Sequence, residues 1–272
     1  MRDRFRAADL GTPELDAKLL ALRAWGFDNL GLLNREMDGA GADAIAALDA
    51  LAGRRLAGEP VARILGEQEF YGLGFALNAH TLVPRPETEM LVDRALAQLG
   101  DAGGRLLDLG TGTGCIPIAI LANAPGVTAV AVDLAPEAVA MARRNAERHG
   151  VGDRLDVRHG SWFAPLHADE RFDLIVSNPP YIETGVIGSL APEVKGFDPV
   201  LALDGGPDGL APYRHIIATT PRILTPGGWL MVEIGAEQGK SVQSLFELAG
   251  FAQVKVEKDL AGLDRVVIGH HL

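Results

Sequence analysis

The sequence predicts an α/β protein: an open, mostly parallel sheet with helices on both faces and an antiparallel last strand, preceded by a small N-terminal helical bundle joined through a β-hairpin. Three observations predict it. From Arg105 onward, short β-rich runs alternate with helical ones, which is the pattern of strand–helix–strand units. The final two runs, AQVKVEKD and RVVIGHH, are joined only by LAGLD. That connection is too short for a parallel crossover, so the last strand runs antiparallel to its predecessor. Ahead of the sheet, the chain up to about Arg63 carries apolar side chains at three- and four-residue spacing, the signature of helices.

Taken in order, Thr12 is placed as an N-cap with Pro13 at the first helical position, and Leu15, Leu19, Leu22 and Trp25 follow on one face. Gly26 ends that helix. A second stretch, Asp43 to Leu56, carries Ile45, Leu48 and Leu51, and together these make a small bundle. No polar side chains converge there, so the bundle reads as a structural or partner-docking cap. EFYGLGFALN then has Gly72 and Gly74 between two short apolar segments and reads as a hairpin. LVPRPETEMLVDRAL opens a helix with Glu87 and Glu89, carboxylates that the helix dipole favours in a first turn.

The alternation that follows runs RLLDLG, CIPIAILAN, TAVAVD, PEAVAMARRNAERHG, LDVRHG, FDLIVSN, GGWLMVEI and KSVQSLFELAG before the closing pair. The expected division is residues 1–80, helical with the hairpin as linker, and residues 81–272, the sheet domain. An open parallel sheet that closes on an antiparallel hairpin is the arrangement expected of Rossmann-like methyltransferases and differs from that of dehydrogenases.

Composition narrows the function classes. With 272 residues, 47% of them hydrophobic and 22% charged, the chain can bury a sizeable core and is far from the composition of disorder. Its net charge of −11 argues against a surface built to neutralise many phosphates, and nucleic acid is not an expected partner. Cys115 is the only cysteine, which excludes an internal disulfide and suits a reducing compartment. The N-terminus lacks an apolar signal segment and no run reaches the length of a membrane span. A cytoplasmic protein with no membrane partner is expected. The seven histidines show no metal-ligand spacing, so no metal site is expected.

The first strand of the sheet ends in D-L-G-T-G-T-G, with Asp108, Gly110, Thr111, Gly112, Thr113 and Gly114. Glycines there let the backbone turn tightly and approach a ligand at a helix N-terminus. The spacing is G-x-G-x-G, with Pro117 three residues after Gly114. The dinucleotide fingerprint is G-x-G-x-x-G, so the mismatch counts against NAD. Cys115 reads as a small residue at a tight helix start, where a helix N-terminus can also lower a thiol pKa. The second strand ends in Asp133, whose carboxylate suits the two ribose hydroxyls of an adenosine. NAD and S-adenosylmethionine both present that diol, and the competing assignment is an Asp capping the next helix. Trp162 either packs near the adenine or is an ordinary core aromatic, and both readings stand.

The fourth strand runs straight into N-P-P-Y, residues Asn178, Pro179, Pro180 and Tyr181. In a doubly wound sheet the first and fourth strands flank the switch point, so this loop and the glycine loop converge on one crevice. Asn178 offers a side-chain oxygen and Pro179 a carbonyl, two fixed acceptors that suit the two hydrogens of an NH₂ group. Tyr181 can stack on the flat group bearing the nitrogen. An amide or ring amine is a poor nucleophile because its lone pair is delocalised. Holding both hydrogens favours pyramidalisation and aims the lone pair at a sulfonium methyl. No protein nucleophile or metal is required.

With these residues in hand, the chain resembles the HemK/PrmC family, the protein-(glutamine-N5) methyltransferases that modify peptide chain release factors. The likeness runs from about Glu59 to Leu272. It rests on E-P-V-A-R-I-L-G, E-F-Y-G-L, L-V-P-R-P-E-T-E, D-L-G-T-G-T-G, N-A-E-R-H-G, F-D-L-I-V-S-N-P-P-Y-I, A-L-D-G-G-P-D-G-L and D-L-A-G-L-D-R-V-V. The resemblance implies that Gly110, Thr111, Gly112, Thr113, Gly114, Asp133 and Trp162, with Asn178, bind S-adenosyl-L-methionine. It implies that Asn178, Pro179, Pro180 and Tyr181 hold the glutamine of the factor's Gly-Gly-Gln loop, and that the helical domain helps recognise the factor. Asp198, in F-D-P, stands where the family more often has glutamate, and the first forty residues match only in helical character. N-P-P-Y alone also fits a DNA or RNA amino-methyltransferase, and the glycine loop alone fits a non-catalytic S-adenosylmethionine-binding module. The P-R-P-E-T-E segment joined to a helical bundle separates the protein-modifying family from these.

Overall fold

The structure is a computed structural model that describes residues 1–34 and 41–272. The chain divides into two compact units, Met1–Glu67 with Ala191–Phe197, and Gln68–Leu190 with Asp198–Leu272.

The first unit is helical: α1 (Arg2–Ala7), α2 (Pro13–Trp25), α3 (Asn29–Asn34), α4 (Ala42–Leu56) and α5 (Val61–Leu65). Helix α2 begins at Pro13 and stops at Gly26, which takes the left-handed conformation at φ 65°, as a C-terminal glycine does. Thr12 turns its hydroxyl to Asp16, at 2.7 Å, instead of capping the backbone. A small core of Phe5, Leu20, Ala52 and Ile64 fills the centre. Beside it Arg55 is buried with Asp16 at 2.6 Å, and its guanidinium also meets Glu193 of the returning segment at 2.6 Å. Residues 35–40 of the expected helical stretch lie outside the described residues.

In the second unit, the hairpin strands β1 (Glu67–Phe70) and β2 (Leu73–Ala76) pair with each other. They lead to α6 (Glu89–Leu99). The sheet comprises β3 (Gly104–Leu109), β4 (Val127–Asp133), β5 (Leu155–His159), β6 (Phe172–Ser177), β7 (Leu224–Glu233), β8 (Ala252–Lys258) and β9 (Asp264–His270), in the order β5-β4-β3-β6-β7-β9-β8. All neighbours are parallel except β9, which runs antiparallel to both β7 and β8. The connecting helices are α7 (Cys115–Asn123), α8 (Pro136–Arg148), α9 (Pro192–Lys195, part of the first unit), α10 (Ala211–Thr219) and α11 (Gly239–Leu248).

Strand periodicity sorts the core into two layers. Leu106, Ala129, Ala131, Leu174 and Val176 point to one face, packed with α6, α7, α8 and the hairpin aromatics Phe70 and Phe75. Leu107, Leu109, Val130, Val132, Ile175 and Val232 point to the other, against Tyr213 and Ile216 of α10 and Val242 and Phe246 of α11. Because both faces are covered, these strands read as near-continuous apolar runs in the sequence. The expected fold is the observed one, antiparallel edge hairpin included. No helix among the described residues is long and apolar enough to cross a membrane.

Candidate active site

Strand order reverses at β3, which has β4 on one side and β6 on the other, and the crevice beyond their carboxyl ends is where such sheets bind ligands. Leu109 and Ser177 are partners in register, so the glycine loop and N-P-P-Y leave the sheet side by side. The Ser177 hydroxyl ties the two strand ends by donating to the Leu109 carbonyl at 2.7 Å. A cleft of about 250 Å³ opens there, lined among others by Gly110, Thr111, Gly112, Thr113, Asp133, Trp162, Asn178 and Pro180.

The glycine loop is anchored on β4, where Gly110 and Thr111 both donate their N–H to the Val132 carbonyl at 2.9 and 3.0 Å. Gly114 sits at φ 79°, and a Cβ there would meet Ile118 Cδ1 at 2.9 Å and Ala142 Cβ at 3.1 Å. Its absence from the cleft lining and this close approach make Gly114 the packing glycine of the loop. Asn145 of α8 is fully buried, holding the Thr113 carbonyl at 2.9 Å and pairing with both backbone groups of Ala76. That explains the asparagine of N-A-E-R-H-G: it fastens the hairpin to the loop.

Asp133 accepts the Gly112 N–H at 2.7 Å with one oxygen and the Ala135 N–H at 2.9 Å with the other. It therefore turns the chain toward α8 and still faces the cleft. Burial raises its pKa in spite of the backbone donors. Trp162 adopts the left-handed region at φ 48°, a conformation that costs a bulky residue roughly 1–3 kcal/mol. Its indole edge reaches Gly110 and it also packs against the α10 side of the core.

Beneath the loop, Asp108 is fully buried with neither carboxyl oxygen in hydrogen-bonding geometry, and burial pushes its pKa up to about 7 against the lowering by the nearby Thr111 hydroxyl. The Thr111 and Thr113 hydroxyls are likewise buried without partners. Thr111 and Thr113 line the cleft and Asp108 lies behind them, so these unsatisfied groups sit where a ligand could satisfy them. Their chemistry, a carboxyl and two hydroxyls beneath a cleft that Asp133 also lines, fits a cationic nucleoside such as S-adenosylmethionine. The Cys115 thiol is pushed up to about 12 by burial. Its place at a helix start therefore does not activate it.

Of the N-P-P-Y residues, Asn178 and Pro180 reach the cleft, whereas Pro179 is buried and Tyr181 stands behind it, its ring against Gly235 and its hydroxyl held near pKa 12 by burial. The Tyr181 carbonyl accepts from Gln238 Nε2 at 3.0 Å. The glycines of A-L-D-G-G-P-D-G-L explain themselves here: a Cβ on Gly205 would lie 2.8 Å from the Tyr181 Cα, and one on Gly209 would collide with the Tyr181 carbonyl. Arg85 of P-R-P-E-T-E, which also lines the cleft, pairs with buried Asp198 at 2.8 Å.

Two residues escaped the sequence reading. Thr88 lines the cleft, and its Oγ1 accepts from Asn178 Nδ2 at 3.2 Å. Glu233, 4% exposed at the end of β7, is pushed to about 7 by burial and has no partner for Oε2. Glu233 carried the same signal as Asp133, a carboxylate ending an apolar parallel strand.

Fold and crevice together define a Rossmann-like methyltransferase of the S-adenosylmethionine-dependent class. Residues 86–191 match the methyltransferase small domain, and the solved methyltransferase from Pyrococcus furiosus superposes with a TM-score of 0.56 at 18% identity, covering 82% of this chain and 98% of that one. Residues 1–66 match the PrmC N-terminal domain. The release factor glutamine methyltransferase of Rhodospirillum rubrum is 44% identical over 265 residues, 97% of this chain and 81% of the relative. That of Agrobacterium fabrum is 42% identical over 271 residues, 98% and 93%. The chain belongs to the release factor glutamine methyltransferase family. The likeness therefore extends past Glu59 through the N-terminal helices, further than the sequence motifs alone reached.

Proposed function

We propose that this protein transfers a methyl group from S-adenosylmethionine to the side-chain amide nitrogen of the glutamine in the Gly-Gly-Gln loop of peptide chain release factors, acting in the cytoplasm. The observation that carries the reading is the convergence of Asn178 with the glycine loop at one switch-point crevice.

When bound, S-adenosylmethionine supplies an electrophilic sulfonium methyl. The loop Gly110–Gly114 shapes its seat, Asp133 accepts from the ribose hydroxyls, and Trp162 walls the nucleoside side. Asp108 places negative charge beneath a cofactor whose methionine portion is positively charged. Asn178 Oδ1 and the Pro179 carbonyl accept the two hydrogens of the glutamine amide, which fixes the nitrogen's orientation. Pro180 stiffens the loop, since it has no backbone donor and a fixed φ. Tyr181 backs the loop from behind. As the N–C bond forms and the sulfonium S–CH₃ bond breaks, positive charge passes to the nitrogen, and the two fixed acceptors would stabilise it until one N–H proton is lost to solvent. The N-terminal helices serve recognition of the factor.

The test is methyl transfer from labelled S-adenosylmethionine to unmodified release factor, to a factor with the loop Gln changed to Ala, and to oligonucleotides. Label on the intact factor alone is the expected result. Equal label on both factors removes the glutamine assignment, and label only on oligonucleotides assigns the crevice to nucleobase amines.

A further inference from the structure

Asparagine works as an acceptor only if its amide is the right way round, because rotation by half a turn exchanges the oxygen for an NH₂. An amide exposed to a polar cleft has no intrinsic preference between the two. Something in the surrounding structure must choose.

The register supplies the choice. Ser177 pairs with Val232 across β6 and β7, so the next residues along, Asn178 and Glu233, leave the sheet as neighbours. Thr88, at the start of α6, stands against both. Its Oγ1 accepts from Asn178 Nδ2 at 3.2 Å, and both side chains lie close enough to the Glu233 carboxyl to favour its charged form. Thr88 and Glu233 are 3% and 4% exposed, so water does not compete for these contacts. The Asn178 NH₂ therefore meets acceptors on its inner side.

We propose that Thr88 and Glu233 are positioning residues that lock the Asn178 amide with its NH₂ inward and its Oδ1 turned to the methyl acceptor. The inference rests on the reading of Asn178 as the group that holds the glutamine amide. It also gives the P-R-P-E-T-E segment a role, since Thr88, flanked by the two glutamates that suit the helix start, is the residue that touches Asn178.

Protonation of Glu233 weakens the lock, because a protonated carboxyl turns one acceptor oxygen into a donor. The groups facing Glu233 are Glu87 beside Thr88, Arg265 on β9, Cys115 on α7, Tyr181 behind the loop and Tyr213 on α10, whose hydroxyl binds the Glu233 carbonyl at 2.9 Å. Burial outweighs Arg265 and the Thr88 and Asn178 donors, which places the carboxyl near 7. The ionised form is the locking form, so kcat should rise with pH through that region.

Two measurements test this. In the first, Glu233→Gln and Thr88→Val are assayed for turnover on release factor. Each is expected to lower kcat on the order of tenfold, the scale of one lost charge-assisted hydrogen bond, with S-adenosylmethionine affinity retained. Glu233→Gln should also flatten the acidic limb of the kcat profile, and Thr88→Ser should recover most of the rate that Thr88→Val loses. In the second, the Asn178 side-chain amide is followed by NMR in protein labelled with ¹⁵N-asparagine, assigned by its disappearance in Asn178→Ala. Its shifts should titrate with a midpoint near 7 and stop doing so in Glu233→Gln. Wild-type kcat in both Glu233→Gln and Thr88→Val, or an amide titration that persists in Glu233→Gln, overturns the inference. A wild-type enzyme that leaves release factor unmodified overturns the substrate reading instead, and the NMR titration still decides the lock.

Discussion

Both units bury charge, and they treat it in opposite ways. In the helical unit Arg55 is met by Asp16 and Glu193, each at 2.6 Å, and its Nη1 also reaches the Glu59 carbonyl. In the sheet unit Asp108 and Glu233, at the ends of β3 and β7, keep carboxyl oxygens without partners and rise to about 7. Burying a charge costs several kcal/mol unless partners offset it. A buried charge with all its partners is scaffold, whereas an incomplete one beside a cleft stores a cost that a ligand or a reacting group can relieve. Among the described residues, the helical unit has no carboxyl of the second kind, and the sheet unit concentrates them at the switch point.

Four substitutions probe the contrast. Arg55→Leu leaves Asp16 buried without its cation, and removing one member of a buried pair costs about 3–5 kcal/mol. Denaturant unfolding should register that loss while calorimetric S-adenosylmethionine binding stays at the wild-type value. A loss below about 1 kcal/mol would show that Arg55 is not structural. Asn178→Ala should lower kcat on the order of 10²–10³-fold, as for a removed orienting contact in a transition state, a far larger effect than on cofactor affinity, to which the glycine loop and Asp133 also contribute. Undiminished turnover would remove Asn178 from the chemistry.

Asp108→Asn keeps the shape and deletes the charge, and should weaken S-adenosylmethionine binding on the order of tenfold. It also has a pH signature. A carboxyl whose folded pKa is raised contributes stability at low pH that is lost as pH climbs from its ordinary value near 4 through about 7. The melting temperature of ligand-free Asp108→Asn should therefore fall less steeply across that window than the wild type. Parallel curves would mean that Asp108 titrates alike in both states. Smallest of all, Leu260 is fully exposed in the turn between β8 and β9, and Leu260→Ser should change stability by no more than about 0.5 kcal/mol. A larger change would locate a contact outside both kinds of buried charge.

Much of this was legible in the chain. The antiparallel ending followed from the brevity of LAGLD, and the glycine loop, Asp133 and N-P-P-Y were each visible as a short motif at a strand end. Thr88 was hidden because the two glutamates beside it had a sufficient local explanation in the helix dipole. Glu233 ends its strand as Asp133 does, but strand-end position alone did not reveal that the register sets it beside Asn178. The backing of Tyr181 by Gly205, Gly209 and Gln238 was hidden for a related reason: these residues lie 24 to 57 positions away and meet it only once the sheet is formed.

Fold class, family motifs and the chemistry open to Asn178 are written in the chain, because periodicity, connection length and residue type are local properties. Which buried charges are paired, which are left incomplete and which way Asn178 faces emerge only in the folded molecule. Those depend on the register of β6 against β7 and on where α6 begins, and register is set by packing two apolar faces at once, which no single segment encodes.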